Sequence, residues 1–251
     1  MLKRRIIPIE LLDGGRLVKT RGFTAPRDVG DPVKSSQVYS DQDADELVLL
    51  NISRTQRDVT ALVQVVARIA RECFVPITVG GGIRCLDDAV QLFAAGADKI
   101  LVNSSAYKNP GLIAEIGDRY GRQAVVVGID VRTEKNGFML YSDCGRKREL
   151  VSLSEHVATV VAAGAAEIMI QSIDKDGSMT GYDLPLLEAV IEIASVPVIA
   201  AGGAGDFVHL KQAFDAGADA AACGSLFNFG DNNPLRAKAF LKNYGIPLKR
   251  L

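Results

Sequence analysis

Asp130 closes the apolar run Val125-Val126-Val127-Gly128-Ile129, and a carboxyl at the end of such a run suits general acid or base work. Desolvation there raises its pKa towards neutrality, where it can take or give a proton. Two glycine sites accompany it. Gly82 with Asn103-Ser104, and Gly203 with Gly224-Ser225, each join a glycine to a pair of small polar residues. Glycine lets backbone N–H groups approach an anion without a side chain between, and the hydroxyls add donors. Two such sites suit a ligand phosphorylated at both ends, and either glycine is expected to accept valine with the fold intact. Asp174 and Asp176-Gly177 follow a further apolar run, and Asp176 and Gly177 are expected to contact the phosphorylated substrate. Lys19 stands among Gly14, Gly15 and Gly22 and is expected on a loop that folds over an anionic substrate. No Walker or Rossmann segment appears, so no nucleotide cofactor is expected.

The two glycine sites are copies of one another. Val75-Pro76-Ile77-Thr78-Val79-Gly80-Gly81-Gly82-Ile83 returns as Val196-Pro197-Val198-Ile199-Ala200-Ala201-Gly202-Gly203-Ala204. At the same offset Gly96-Ala97-Asp98 returns as Gly217-Ala218-Asp219, and Glu46-Leu47-Val48-Leu49 as Glu167-Ile168-Met169-Ile170. The chain is therefore expected to hold two fused half-units, roughly 1–122 and 123–251.

Eight Val- and Ile-rich runs can position these groups: Arg5 to Leu11, Glu46 to Ile52, Ile77 to Gly80, Lys99 to Val102, Ala124 to Asp130, Glu167 to Ser172, Val198 to Ala201 and Ala220 to Cys223. Several are too uniformly apolar for a half-exposed antiparallel strand, so they are expected to be parallel and buried. Amphipathic segments between them, such as Asp58 to Glu72 and Leu153 to Ala163, have helical spacing. Eight strand–helix units close most simply into one (β/α)8 TIM barrel over residues 1–251, and equal halves favour closure over an open doubly wound sheet. All the polar and glycine groups named above then fall at the carboxyl ends of the strands, where such barrels place their chemistry.

Arg5, Glu46, Lys99 and Glu167 start strands at the opposite end. Two positive and two negative charges around one barrel floor are able to pair into a plug that seals or gates the interior. The other charges give little direction. With 29 Lys and Arg against 30 Asp and Glu, the chain has no broad cationic field for nucleic acid or anionic lipid. Arg146-Lys147-Arg148 reads as a solvated hairpin edge. The four cysteines and two histidines lack metal-ligand spacing, so no metal is expected. The basic start precedes only a short apolar run broken by Pro8 and Glu10, which supports neither a signal peptide nor a membrane span and makes the cytoplasm the default.

Taken together, Met1-Leu2 through Arg5-Ile6-Ile7, Gly30-Asp31-Pro32, Val79-Gly80-Gly81-Gly82-Ile83, Ala124-Val125-Val126-Val127, Ser172-Ile173-Asp174-Lys175-Asp176-Gly177 and Gly202-Gly203-Ala204-Gly205 resemble the cyclase subunit family of imidazole glycerol phosphate synthase, over essentially the whole chain. In that family a glutaminase subunit docks on the barrel floor, and its ammonia crosses the barrel to a bisphosphorylated ribulosyl aminoimidazole carboxamide. The resemblance implies that Arg5, Glu46, Lys99 and Glu167 match an ammonia gate and that Asp98 faces the glutaminase.

One position departs sharply. The family's acid/base pair implies aspartates at the ends of the first and fifth strands; the second is Asp130, and the first is Leu11, which cannot transfer a proton. Glu10 points to the other strand face, and Asp13 lies further out. Asn51, Gln171 and Ala201 stand where the family has aspartate, threonine and serine. Three readings follow. The chain is an ammonia-accepting cyclase subunit; or a surface-polysaccharide branch of the family, delivering ammonia to a further amidating enzyme for an amidino sugar; or a partnerless phosphosugar isomerase on a related duplicated half-barrel.

Overall fold

The structure is a computed structural model that describes residues 3–229 and 231–249; Met1 and Leu2 of the family-like start lie outside them. The chain opens with β1 (Arg5–Asp13), which turns into an antiparallel hairpin of β2 (Arg16–Arg21) and β3 (Thr24–Gly30) before α1 (Pro32–Asp41). Strand and helix then alternate through β4 (Leu47–Asn51), α2 (Thr60–Glu72), β5 (Ile77–Gly80), α3 (Leu86–Ala94), β6 (Lys99–Val102), a short α4 (Ser104–Lys108) and α5 (Gly111–Tyr120). The second half repeats the scheme. Its first strand, β7 (Val125–Glu134), turns into a hairpin with β8 (Gly137–Ser142) and β9 (Lys147–Arg148), followed by α6 (Leu153–Ala162), β10 (Glu167–Ser172) and α7 (Leu184–Ile193). It ends with β11 (Val198–Ala201), α8 (Phe207–Asp215), β12 (Ala220–Cys223), a short α9 (Ser225–Asn228) and α10 (Pro234–Lys242).

Eight of these strands are parallel and close the barrel in the order β1, β4, β5, β6, β7, β10, β11, β12, with β12 returning to β1. Their near-continuous apolar composition is explained by the two cores they separate. One face packs under the helices, where Ile6, Leu47, Leu49, Val125 and Val127 are buried. The other fills the interior with Ile7, Ile9, Val48, Leu101, Val126, Met169 and Ile199. Alternate residues thus serve opposite cores, as strand geometry requires.

The sequence repeat is a structural one. Asp98 Oδ2 accepts from the Ile77 amide at 2.8 Å, and its copy Asp219 accepts from the Val198 amide at 3.0 Å, so each ties the start of one strand to the turn before the next. The hairpins after β1 and β7 occupy matching places in the two halves. Lys19 requires a correction: it stands on β2 rather than on a loop, because β1 runs on past the barrel and pairs with β2 at Leu11↔Val18 and Leu12↔Leu17.

The glycine sites also need one. Gly203 has φ +110°, and a Cβ there would lie 2.1 Å from the Gly181 carbonyl oxygen; Gly82 has φ +81° and would meet the Arg57 oxygen at 2.6 Å. Valine at either position forces the backbone apart, so the expected tolerance is overturned. Among the described residues no helix is long and apolar enough to cross a membrane, and no cluster of side chains could hold a metal ion.

Candidate functional site

At the carboxyl ends of the strands, the two sides of the barrel mouth differ. On one side β6, β7 and β10 present Asn103, Asp130 and Gln171. Asn103 Nδ2 donates to Asp130 Oδ2 at 2.9 Å, and Gln171 is the register partner of Asp130 across the parallel pair. Burial pushes the Asp130 carboxyl up to about 7, the Asn103 hydrogen bond opposing it only in part. A group with that pKa changes protonation near neutrality and suits acid or base work.

The other side of the mouth is apolar. Leu11 and Leu50 are register partners and pack onto the interior core. Glu10 does not take the place of the missing carboxylate. It points away from the barrel axis and is fully buried beneath α1, where Ser36 Oγ donates to its Oε2 at 2.7 Å. Asp13 is half-buried at the end of β1. Asn51 is occupied by its own loop, accepting from the Ser53 amide at 3.0 Å and donating to the Gln56 carbonyl at 3.1 Å.

The residues of the two glycine sites follow neighbouring strands: Ser104 starts α4 beyond β6, which pairs with β5 ahead of Gly82, and Ser225 starts α9 beyond β12, which pairs with β11 ahead of Gly203. Ser104 Oγ also accepts from the Asp143 amide at 3.0 Å and so ties the second hairpin to its site. Lys19 is 5% exposed, and its Nζ donates to the Ile9 carbonyl at 3.0 Å. A Cβ placed on Gly224 would lie 3.1 Å from that Nζ, which puts the ammonium beside the Gly224-Ser225 turn.

Asp176 and Gly177 contact the first hairpin. Asp176 Oδ2 accepts from Thr20 Oγ1 at 2.7 Å and from the Phe23 amide at 3.1 Å, while a Cβ on Gly177 would strike the Thr20 carbonyl at 2.2 Å. This loop clasps the β2–β3 hairpin over the mouth. Asp174 likewise holds the second hairpin, through the Thr133 amide at 2.9 Å. The clasps escaped the sequence reading because β2, β3 and the overrun of β7 did.

At the floor the four charges form one closed set. Arg5 pairs with Glu46 at 2.9 Å and with Glu167; Lys99 pairs with Glu46 at 2.9 Å and with Glu167 at 2.7 Å. Thr78 Oγ1 also donates to Glu46. Burial alone would raise the Glu167 carboxyl, but hydrogen bonds and charge from Arg5 and Lys99 hold it below the ordinary range. Asp98 is exposed beside this ring.

An aspartate tuned to neutrality at the mouth has a stability consequence. Its folded pKa is raised, so the chain loses stability as pH climbs from about 4, the ordinary value, to about 7. We expect Asp130→Asn to unfold at higher urea than the parent at pH 8, by about 1–2 kcal/mol after discounting for solvent at the mouth, and at equal urea near pH 3.5. Parallel urea curves at the two pH values check this; a variant less stable at pH 8 contradicts the desolvated carboxyl.

A closed (β/α)8 barrel with a desolvated aspartate at one end and a paired charge ring at the other has the architecture of the (β/α)8 enzymes. Residues 5–233 match the family described as histidine biosynthesis protein. The chain is 41% identical to imidazole glycerol phosphate synthase subunit HisF of Streptococcus sanguinis (strain SK36), covering 99% of this chain and 100% of that one. It is 43% identical to the subunit of the same name from Caulobacter vibrioides (strain NA1000 / CB15N), over 99% and 97%, and 40% identical to that of Wolinella succinogenes, over 99% and 98%. The chain belongs to this histidine biosynthesis family.

Proposed function

We infer that the chain is the cyclase subunit of an imidazole glycerol phosphate synthase, a lyase of histidine biosynthesis that works in the cytoplasm with a glutaminase subunit. The reading is carried by one arrangement: a paired charge ring at the floor, an apolar interior above it, and a half-buried aspartate at the mouth between two phosphate-type turns. Ammonia released at the floor passes through the ring and along the apolar interior, which excludes bulk water. Gly82 with Asn103-Ser104, and Gly203 with Gly224-Ser225, hold the two phosphates of a ribulosyl aminoimidazole carboxamide; Lys19 adds charge at the second. The β2–β3 hairpin, clasped by Asp176 and Gly177, covers the substrate, and Asp130 moves the proton during cleavage and ring closure.

Leu11 favours a second reading, in which the barrel keeps its conduit and turns over slowly itself, its ammonia serving a further amidating enzyme. The relatives' shared name favours the first, and nothing in the site supports a partnerless isomerase, which has no use for the floor ring.

The partner is tested by co-purifying the chain with a glutaminase subunit of the same source. We expect a one-to-one complex of standard interface size, roughly 1,600 Å². Asp98→Lys should weaken it, and because Asp98 also accepts from the Ile77 amide, the variant's own unfolding curve must be measured beside it. A chain that stays alone at micromolar concentration defeats the amidotransferase reading.

A further inference from the structure

Glu10 is a buried carboxylate for which neither the barrel nor the mechanism above has a use. It is 0% exposed, and its Oε1 has no hydrogen-bond partner among the described residues. Burying a carboxylate that is only half satisfied costs stability, so its presence calls for a compensating interaction. The β1–β2 register supplies the neighbour: its pairs run Asp13↔Arg16, Leu12↔Leu17 and Leu11↔Val18, and one further step along the same register sets Glu10 against Lys19. Directly opposed residues share one face of an antiparallel pair. Lys19 is the buried ammonium beside Gly224, fixed by the carbonyl of Ile9, the residue next to Glu10. An ammonium has three donors, and Ile9 takes one.

We propose that Glu10 is a positioning residue: its buried carboxylate keeps the Lys19 ammonium charged beside the Gly224-Ser225 turn of the second glycine site, and that ammonium binds the phosphate held there. The proposal rests on the reading of that turn as a phosphate site. It acts through the field, since no ion pair within 4.0 Å joins the two side chains among the described residues. The groups that act on Glu10 are Asp31, Ser35, Ser36 and Tyr39 of the α1 region, Lys19 of β2 and Cys73 at the end of α2. Facing Lys19 are Glu10, Asp176 after β10 and Cys223 of β12.

The signs give a specific pH pattern. Burial raises the Glu10 carboxyl to about 7, while Ser35, Ser36 and Lys19 oppose it; burial lowers the Lys19 ammonium to about 8, while Glu10 and Asp176 oppose that. Above about pH 7 the Glu10 carboxylate is ionised and supports the ammonium. Below it, Glu10 is neutral and a neutral replacement changes little. Glu10→Gln should therefore bind inorganic phosphate at its Lys19-dependent site as the parent does at pH 6, and about three- to tenfold more weakly at pH 8, where an unsupported lysine loses its proton. The variant-to-parent ratio cancels the second ionisation of phosphate itself.

Titration calorimetry with inorganic phosphate on the full chain measures it, with Lys19→Met identifying the site concerned. In the Lys19→Met background Glu10→Gln should add no further loss. Glu10→Leu, which suits the apolar surroundings, should reproduce the pattern and guards against a glutamine that fails to fold. An equal ratio at both pH values, or a loss that persists without Lys19, overturns the proposal and leaves the site standing. Phosphate affinity untouched by Lys19→Met and Ser225→Ala together removes the site and the proposal with it.

Discussion

Leu11→Asp should raise ammonium-dependent imidazole formation by about 10- to 10³-fold. General acid–base catalysis by one positioned group contributes roughly 10² to 10⁴, and the parent has one such group at the mouth, Asp130, where a bifunctional step needs two. Leu11 lies on the interior face of β1, as its packing with Leu50 on the apolar core shows, so a carboxylate at that position points over the mouth. Recovery should be partial, because Asn51 is committed to its own loop and Gln171 is the register neighbour of Asp130. The substitution carries a cost of about 1–3 kcal/mol for a polar group set against apolar neighbours, so unfolding must be followed alongside rate. The assay supplies excess ammonium and the ribulosyl substrate, with no glutaminase. Robust turnover by the parent, or no gain in a folded variant that still binds substrate, shows that another group serves as the second acid or base and removes the reason for the conduit reading.

The same position marks how much was legible beforehand. The eight barrel strands were readable because a strand buried on both faces must be apolar at consecutive positions, and Ile77–Gly80, Lys99–Val102, Glu167–Ser172, Val198–Ala201 and Ala220–Cys223 are found where that argument places them. The duplication was readable too, and it carried the matching glycine turns at Gly82 and Gly203 and the matching Asp98 and Asp219 with it. The first hairpin was not, and of the second only the solvated edge at Arg146-Lys147-Arg148 was read. Arg16–Arg21 is flanked by glycines and rich in charge, Thr24–Gly30 is largely exposed, and neither shows the alternation of a strand that covers a core. They exist because β1 and β7 overrun the barrel and offer free edges to the chain that follows. Lys19 was therefore placed on a loop, and the clasp of the Asp176 carboxylate on that hairpin was not foreseen. Glu10 was judged correctly as facing away from the mouth, since alternation decides it; its place one step beyond the β1–β2 pairs, towards Lys19, needed the unseen strand.

The floor ring gives the other large expected effect. Glu167→Gln removes one carboxylate from a set in which each positive group contacts both negative ones, leaving Arg5 and Lys99 to share Glu46. Breaking a buried pair from one side leaves charge uncompensated, and with Glu167 only 11% exposed the loss should be about 2–4 kcal/mol at pH 7. The pH dependence fixes the cause. Because Arg5 and Lys99 hold the folded Glu167 carboxyl below its ordinary value of 4.5, its stabilisation is present above that value and lost as pH falls through the lower, folded pKa. The gap between parent and variant in urea unfolding should thus be full at pH 6–7 and narrow steadily below about 4.5. Function separates in the same variant. Ammonium supplied at the open mouth bypasses the floor, so ammonium-dependent turnover should change little, whereas glutamine-dependent turnover in complex with the glutaminase should fall by about tenfold as the gate loses its shape. Equal losses in both assays would mean that the ring only holds the barrel together and that ammonia does not cross it; a stability gap that persists at low pH would mean that the charge of Glu167 is not what the ring uses.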